Sequence, residues 1–139
     1  MTTTFKTIGR ASLAVGILAA MIGAAGASGL QSRLGGSEWG YSGEADATAR
    51  YIQFAGAGRV LGFGGCNRFS GSYQITPDGL TIGPLVATMR ACAEDVMKRE
   101  GEFFRVLESA RKADVTKLEL VLKAEDGSTL ATLARRDFD

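Results

Sequence analysis

From residue 39 onward, apolar and polar positions alternate along much of the chain, and this period of two is typical of half-buried β-strands. In residues 69–75, FSGSYQI, the apolar residues and a glycine take one side, and serines and a glutamine take the other. Short turns rich in glycine separate the segments, so neighbouring strands are expected to pair antiparallel. The same pattern predicts a short first strand around Trp39 and Tyr41 and further strands at 47–54, 59–63, 80–86, 117–123 and 129–134.

One segment has the helical period instead. Between about 93 and 112, apolar residues recur at spacings of three and four, which predicts an amphipathic helix. Acidic side chains lie near its start and basic ones near its end, which complements the helix dipole. The predicted fold class is therefore mainly β (α+β): a small antiparallel barrel-like sheet with one packed α-helix at about 93–112, preceded by a signal peptide.

The N-terminal segment has neither of these patterns. Lys6 and Arg10 are followed by an uncharged run, LAVGILAAMIGAAGA, at 13–27. A basic start, an apolar stretch of this length and a small-residue site ending at Ala27 are typical of a secretory signal peptide. An uncleaved membrane anchor is the alternative interpretation, but the run is shorter than the roughly 20 residues that span a bilayer.

This interpretation divides the chain into a signal peptide at 1–27, cut after Ala27, a flexible lead-in at 28–38 and a folded domain at 39–139. It predicts a periplasmic or secreted protein, with membrane contact only through the signal segment if that segment stays uncleaved. The 112 residues after the signal are enough for one domain with a single core. They carry 14 basic and 15 acidic side chains in scattered order, with no basic stripe along the sequence. Nucleic acid is therefore not expected as a partner, because binding its phosphates needs concentrated positive charge.

The residue types argue against several kinds of catalytic site. The sequence has no histidine, which excludes Ser-His-Asp and Cys-His arrangements and any zinc site that uses histidine. We expect no catalytic, cofactor-binding or metal-binding residues. The carboxylate pairs fall where a solvated helix face or a hairpin turn would place charge: Glu94/Asp95, Glu100/Glu102 and Glu125/Asp126.

Cys66 and Cys92 are the two cysteines of the chain. An even number of cysteines in an exported protein favours a disulfide, because that compartment is oxidising. Two separate buried thiols, packed as small apolar residues, are the alternative.

Two short segments resemble a known family. GCNRFSGSY at 65–73 and TMRAC at 88–92 are similar to the motifs of the META-domain family, the HslJ-like heat-shock proteins. The E-x-x-F pattern of the family's helix is matched by Glu100 and Phe103, and the resemblance covers Trp39 to Leu133. It implies a barrel-like antiparallel sheet with a packed helix. It also implies a surface or periplasmic role in stress, antibiotic tolerance or virulence, without catalytic activity.

Structural roles explain most of the motif residues. Asn67 suits a tight corner, because asparagine tolerates left-handed backbone and bonds to its own backbone, and Thr88 is a candidate cap before the helix. The alternative is a surface for a ligand or partner around Asn67, Arg68 and Arg90. The sequence thus predicts a non-enzymatic envelope protein that contributes to stress or antibiotic tolerance by binding an unidentified envelope protein or small ligand. A periplasmic small-ligand carrier and an inhibitor of an envelope enzyme are the other hypotheses.

Overall fold

The computed structural model describes residues 24–137 of the chain. The predicted signal peptide therefore lies outside the described residues, except for its last four. In chain order the elements are α1 (Ala24–Leu34), β1 (Glu38–Gly40), β2 (Tyr51–Ala55), β3 (Arg59–Phe63), β4 (Arg68–Thr76), β5 (Gly79–Ala87), α2 (Glu94–Ser109), β6 (Lys112–Val115), β7 (Glu119–Lys123) and β8 (Thr129–Arg135).

The eight strands form one antiparallel sheet in the order β5-β4-β3-β2-β1-β8-β7-β6. Strands consecutive in sequence are neighbours in the sheet, apart from β5 and β6, which form its two edges, and β1 also pairs with β8. The sheet curls into a half-barrel, and its edge strands approach each other where the backbone N–H of Leu80 donates to the carbonyl of Arg111 at 2.8 Å. The predicted mainly β fold with one packed helix is confirmed.

Side chains on one face of the sheet and one stripe of α2 form the core. Val96, Glu100, Phe103 and Leu107, three or four positions apart, are the buried residues of α2. The rings of Phe103 and Phe69 meet edge to face, with centroids 6.1 Å apart. This packing places the first half of α2 beside the turn between β3 and β4, where the GCN motif lies.

The helix is shorter at both ends than predicted, and a strand follows that the pattern did not predict. Helix α2 ends at Ser109 because Ala110 already has extended backbone, with φ −61° and ψ 133°. Lys112 then begins β6, which pairs with β7. Four residues, KADV, are too few to show a period of two, so the short strand was not predicted, and only Lys112 of it fell within the predicted helix.

In place of the flexible lead-in expected for 28–38, the structure has most of helix α1, a turn and the start of β1. Leu34 is fully buried in the core, and the side-chain amide of Gln31 donates to the hydroxyl of Tyr73 at 2.9 Å. The backbone N–H of Gly36 donates to Phe54 at 2.7 Å. A single leucine among glycines and serines gives no periodic signal, so its burial was not predictable. Among the described residues, no helix is long and apolar enough to cross a membrane.

Candidate functional site

The carboxylate of Glu100 lies inside the protein, with only 4% of the residue exposed. One oxygen accepts the backbone N–H groups of Cys66 at 3.0 Å and of Asn67 at 2.6 Å. The other oxygen accepts the side-chain amide of Asn67 at 2.7 Å. A charge-assisted hydrogen bond is stronger than a neutral one, so three donors offset much of the cost of burying the carboxylate.

The side chain of Asn67 continues the network towards the segment between β5 and α2. Its carbonyl oxygen accepts the backbone N–H of Arg90 at 2.6 Å and the hydroxyl of Thr88 at 2.9 Å. Its amide nitrogen also donates to the carbonyl of Arg90 at 3.1 Å. One buried side chain therefore fixes both the N–H and the C=O of Arg90.

Cys66 and Cys92 form a disulfide, with their Cα atoms 6.0 Å apart. This confirms the favoured pairing over the alternative of two separate thiols. The bond ties the β3–β4 turn to the end of the same segment that Asn67 holds. We call residues 88–92 the tethered loop, because hydrogen bonds fix its beginning and a covalent bond fixes its end.

The glycine before the motif leaves room for the buried carboxylate. A Cβ atom on Gly64 would lie 2.7 Å from both Cγ and one carboxylate oxygen of Glu100, and 2.8 Å from the ring of Phe104. Next to it, Gly65 has a φ of +111°, which side-chain-bearing residues rarely adopt. The GGCN sequence is therefore suited to passing the backbone close over Glu100.

The three residues predicted to form a binding surface differ in their exposure to solvent. Asn67 is 3% exposed and is occupied by internal hydrogen bonds, so it does not form part of that surface. Arg68 and Arg90 are exposed and remain predicted surface residues. Between Thr88 and Arg90, Met89 is 98% exposed, a feature that sequence reasoning missed.

Two of the structural roles predicted for the motif are wrong. Asn67 does not take a left-handed conformation, since Ala57 is the non-glycine residue with positive φ among residues 24–137. Thr88 was expected to cap the turn before the helix, but its hydroxyl donates to the side-chain oxygen of Asn67 at 2.9 Å. Both polar side chains bond to groups distant in sequence instead, and local turn rules do not predict such contacts.

Glu100 was placed on a solvated face in the sequence analysis, and the structure corrects this. A signal was present, because Glu100 falls within the apolar stripe of α2, at positions 96, 100, 103 and 107. A carboxylate inside such a stripe is buried and needs donors. Its exposed neighbour Glu102 matches the prediction.

The polar groups of Glu100 and Asn67 are hydrogen-bonded within the protein. Both carboxylate oxygens of Glu100 accept hydrogen bonds from within the protein, and both polar atoms of the Asn67 side chain are bonded. Within the part of the chain that the structure describes, no group of three or more His, Cys, Asp or Glu side chains is placed to hold a metal ion. The arrangement holds backbone in position.

A second polar cluster joins the β1–β2 connection to α2. Arg50 forms an ion pair with Glu44, lies 4.1 Å from the centre of the Tyr41 ring and donates to the carbonyl of Arg99 at 3.3 Å. Burial acts to raise the pKa of Glu44, but the hydrogen bonds and charge of Arg50 outweigh it, so the pKa lies below its ordinary value. Burial also raises the pKa of Tyr41.

The face of β2–β5 that points away from α2 carries an open cleft of about 540 Å³. Cross-strand pairing aligns Gln53, Leu61, Ser70 and Val86 in one row across this face. Tyr51 and Arg68 also line the cleft, and Thr88 connects it to the tethered loop. The cleft and the tethered loop are thus parts of one continuous surface.

Comparison with solved structures identifies proteins with the same fold. The NMR structure of a protein from Burkholderia xenovorans has a TM-score of 0.64 and 22% identity, covering 95% of this chain and 99% of that one. The crystal structure of a DUF4847 family protein from Bacteroides vulgatus has a TM-score of 0.58 and 15% identity, covering 79% of this chain and 99% of that one. At these identities the likeness concerns the fold alone.

Sequence comparison identifies the family. No curated protein matches the chain. The META domain profile matches residues 33–137, a range that includes both motifs, the disulfide and Glu100. The structure, with its curled antiparallel sheet and single packed helix, agrees with that match. The chain therefore belongs to the META domain family.

Proposed function

We propose that this protein is an exported, non-enzymatic envelope protein that acts by binding and contributes to tolerance of stress or antibiotics. The observation that carries the proposal is the use of the motif residues. Glu100, Asn67 and the disulfide hold the tethered loop in place, and all five residues of that loop, Met89 and Arg90 among them, are exposed. A preorganised exposed loop binds with less loss of conformational entropy than a mobile one.

Export is part of the same proposal. A basic start followed by an uncharged apolar run at 13–27 supports it. The Cys66–Cys92 disulfide supports it as well, since such bonds persist in oxidising compartments. The periplasm or the external medium is the expected location.

Complementation of a deletion strain tests the proposal. A strain without the protein should become more sensitive to envelope-targeting antibiotics, heat or detergent, and the wild-type protein should restore tolerance. Met89→Ser combined with Arg90→Gln should fail to restore it, although the variant folds. Arg105→Gln, which changes an exposed arginine on α2, is the matched control and should restore it fully. Unchanged sensitivity of the deletion strain under all three stresses would contradict the proposal.

Inhibition of an envelope enzyme is a second candidate, favoured by the same fixed, exposed loop. A pull-down from envelope extract with wild-type protein, compared with the Met89→Ser/Arg90→Gln variant, tests it. A single enzyme captured by the first and not by the second is the expected result. Capture of the same proteins by both would exclude the loop as an inhibitory element.

The structure gives no support to a carrier with a ligand inside the barrel. Trp39, Phe54, Phe103 and Leu107 fill the interior of the half-barrel and are fully buried. The open cleft lies on the opposite face of the sheet, outside the core.

A further inference from the structure

We propose that the outer face of β2–β5, together with the tethered loop, docks the protein onto an anionic lipid surface. We call this surface the basic face and define it by Arg59, Arg68 and Arg90 with the exposed apolar residues Val86 and Met89. The inference deepens the proposed binding function by naming the class of partner, and it rests on the proposed envelope location.

Arg59 and Arg68 lie on one side of the sheet, and Arg90 is exposed on the loop that follows β5. Arg59 pairs with Ser72, and Arg68 pairs with Phe63, so both arginines point away from the face that packs on α2. Ser72 and Arg68 are four positions apart on β4, so the Cα atoms of Arg59 and Arg68 lie about 13 Å apart along the strand direction. Among residues 24–137, no carboxylate forms an ion pair with any arginine of the basic face.

Acidic groups are scarce around this face. Residues 47–93 contain a single acidic residue, Asp78, which lies in the β4–β5 turn at the far end of the sheet from Arg68. On the adjacent strand β1, the carboxylate of Glu38 lies 3.7 Å from the guanidinium of Arg136. Glu94 and Asp95, in the first turn of α2, lie two and three residues after the tethered loop. The carboxylate of Glu108 reaches the edge strand β5, where it accepts the backbone N–H of Leu85 at 3.0 Å. Strands β2 to β5 themselves contain two arginines, Arg59 and Arg68, and no acidic residue, so their outer face carries positive charge.

Two apolar side chains project from the same surface. Val86 is 72% exposed and Met89 is 98% exposed. Hydrogen bonds between Asn67 and Arg90 fix the backbone next to Met89, so docking carries a smaller loss of backbone entropy there. Apolar side chains beside basic ones are suited to the boundary between lipid headgroups and acyl chains.

A lipid surface fits these features better than an acidic peptide does. Peptide recognition depends on anchor side chains that enter recessed, well-packed pockets, whereas the cleft on this face is open and both Val86 and Met89 are largely exposed. Arg59 and Arg68, with Cα atoms about 13 Å apart, are spaced to meet separate phosphates of a bilayer. Each arginine near an anionic membrane adds to the attraction.

Vesicle co-sedimentation tests the charge requirement, using the exported protein recovered from the cells that make it. Wild-type protein should bind phosphatidylglycerol vesicles more tightly than phosphatidylcholine vesicles. Binding to phosphatidylcholine, which has no net charge, measures the contribution of apolar contacts alone. Arg68→Gln with Arg90→Gln should lower the partition coefficient roughly 20-fold, or about five-fold per arginine. Arg105→Gln on α2 is the matched control and should stay within about two-fold of wild type.

Tryptophan fluorescence tests the position of the contact. The native Trp39 is fully buried, so a tryptophan introduced at an exposed site reports its own surroundings. Met89→Trp should show a blue shift on addition of phosphatidylglycerol vesicles. Leu118→Trp, which replaces a 63% exposed leucine in the β6–β7 turn, should show none. Thermal unfolding confirms that each variant is folded before vesicles are added.

Several results would overturn the proposal. These are equal binding to both lipids, equal losses in the Arg105→Gln control, binding to poly-glutamate as tight as to vesicles, or an equal blue shift at position 118. None of these results contradicts the proposed function if the deletion strain is sensitive to stress and the Met89→Ser/Arg90→Gln variant fails to restore tolerance. Tight, arginine-dependent vesicle binding without any deletion phenotype would instead support docking and contradict the proposed function.

Discussion

Glu100 shows how a single buried charge organises the polar part of this domain. Its carboxylate accepts two backbone N–H groups and the amide of Asn67, and Asn67 in turn bonds to Thr88 and Arg90. An unpaired buried carboxylate would be strongly destabilising, whereas a fully bonded one fixes its neighbours in one arrangement.

Replacing Glu100 with glutamine should destabilise the protein by about 3 kcal/mol, because the charge-assisted hydrogen bonds are lost and the new NH2 group must face either the two backbone N–H donors or the side-chain amide of Asn67. Urea unfolding at neutral pH measures the change. Glu102→Gln, two positions away on the same helix and exposed, should alter the free energy of unfolding by less than about 0.5 kcal/mol. Equal losses in the two variants would show that the buried network contributes nothing to stability.

Motif residues were the part of the site that the sequence predicted least well in detail. The resemblance pointed to Asn67, Thr88 and Glu100, but their roles depend on contacts between residues 21 to 33 positions apart. Local rules for turns and caps describe bonds to nearby backbone, so they assigned Asn67 and Thr88 to local roles. Burial of Glu100 was readable from its place in the apolar stripe of α2.

At the scale of elements, regular patterns predicted the structure and short segments did not. Strand β3 begins and ends where predicted, and β4 differs by one residue at each end, because alternation over five or more residues is a strong signal. Strand β6 and helix α1 were missed. Each is held by a few distant contacts, such as those of Leu34 and Gln31, and has little periodicity of its own.

The disulfide joins two elements, and its removal should be costly. Loop closure over 26 residues corresponds to about 3.5 kcal/mol in the chain-entropy model. Cys66→Ser and Cys92→Ser should each lower the thermal midpoint by more than about 4 °C. The double variant should lose little more, because the same bond is removed. Additive losses would indicate two independent packing roles. Alkylation and mass measurement of unreduced periplasmic protein provides the direct check on the bond.

The Glu44–Arg50 pair should make stability depend on pH in acid. Because Arg50 holds the pKa of Glu44 below its ordinary value of 4.5, the unfolded chain binds the proton more readily. The stability from this group is therefore present above pH 4.5 and is lost as the pH falls through the folded-state pKa. Urea unfolding at pH 7, 5, 4 and 3 should show a shallower decline for Glu44→Gln than for wild type. Parallel curves would contradict the assigned pKa shift.

At the scale of the whole molecule, the half-barrel closes where β5 meets the segment before β6. A Cβ atom on Gly79 would lie 2.0 Å from the carbonyl oxygen of Arg111, whereas one on Gly101 in α2 would meet nothing within 4 Å. Antiparallel neighbours follow from short turns, but the approach of the two sheet edges depends on the curl of all eight strands. Sequence patterns therefore predicted a barrel-like sheet without predicting its point of closure.

Alanine substitutions at Gly79 and Gly101 should therefore change the free energy of unfolding in opposite directions. Gly79→Ala should destabilise the protein by about 2 kcal/mol or more, because backbone must shift to admit the methyl group. Gly101→Ala should stabilise it by about 0.5–1 kcal/mol, because alanine has the higher helix propensity and the space is open. Urea unfolding of both variants measures the difference. Stabilisation by both would show that the sheet edges at Gly79 are not in close contact.

Amide hydrogen exchange at Arg90 tests most directly whether Asn67 holds the tethered loop. The N–H of Arg90 donates to the side-chain oxygen of Asn67 at 2.6 Å, although the residue itself is exposed. In the wild-type protein this amide should exchange at least about 100-fold more slowly than an unprotected one. In Asn67→Ala it should approach the unprotected rate, while the amide of Ile52 in the central sheet stays protected. Exchange of the Arg90 amide in the wild-type protein as fast as that of exposed Ala91 would contradict a held loop.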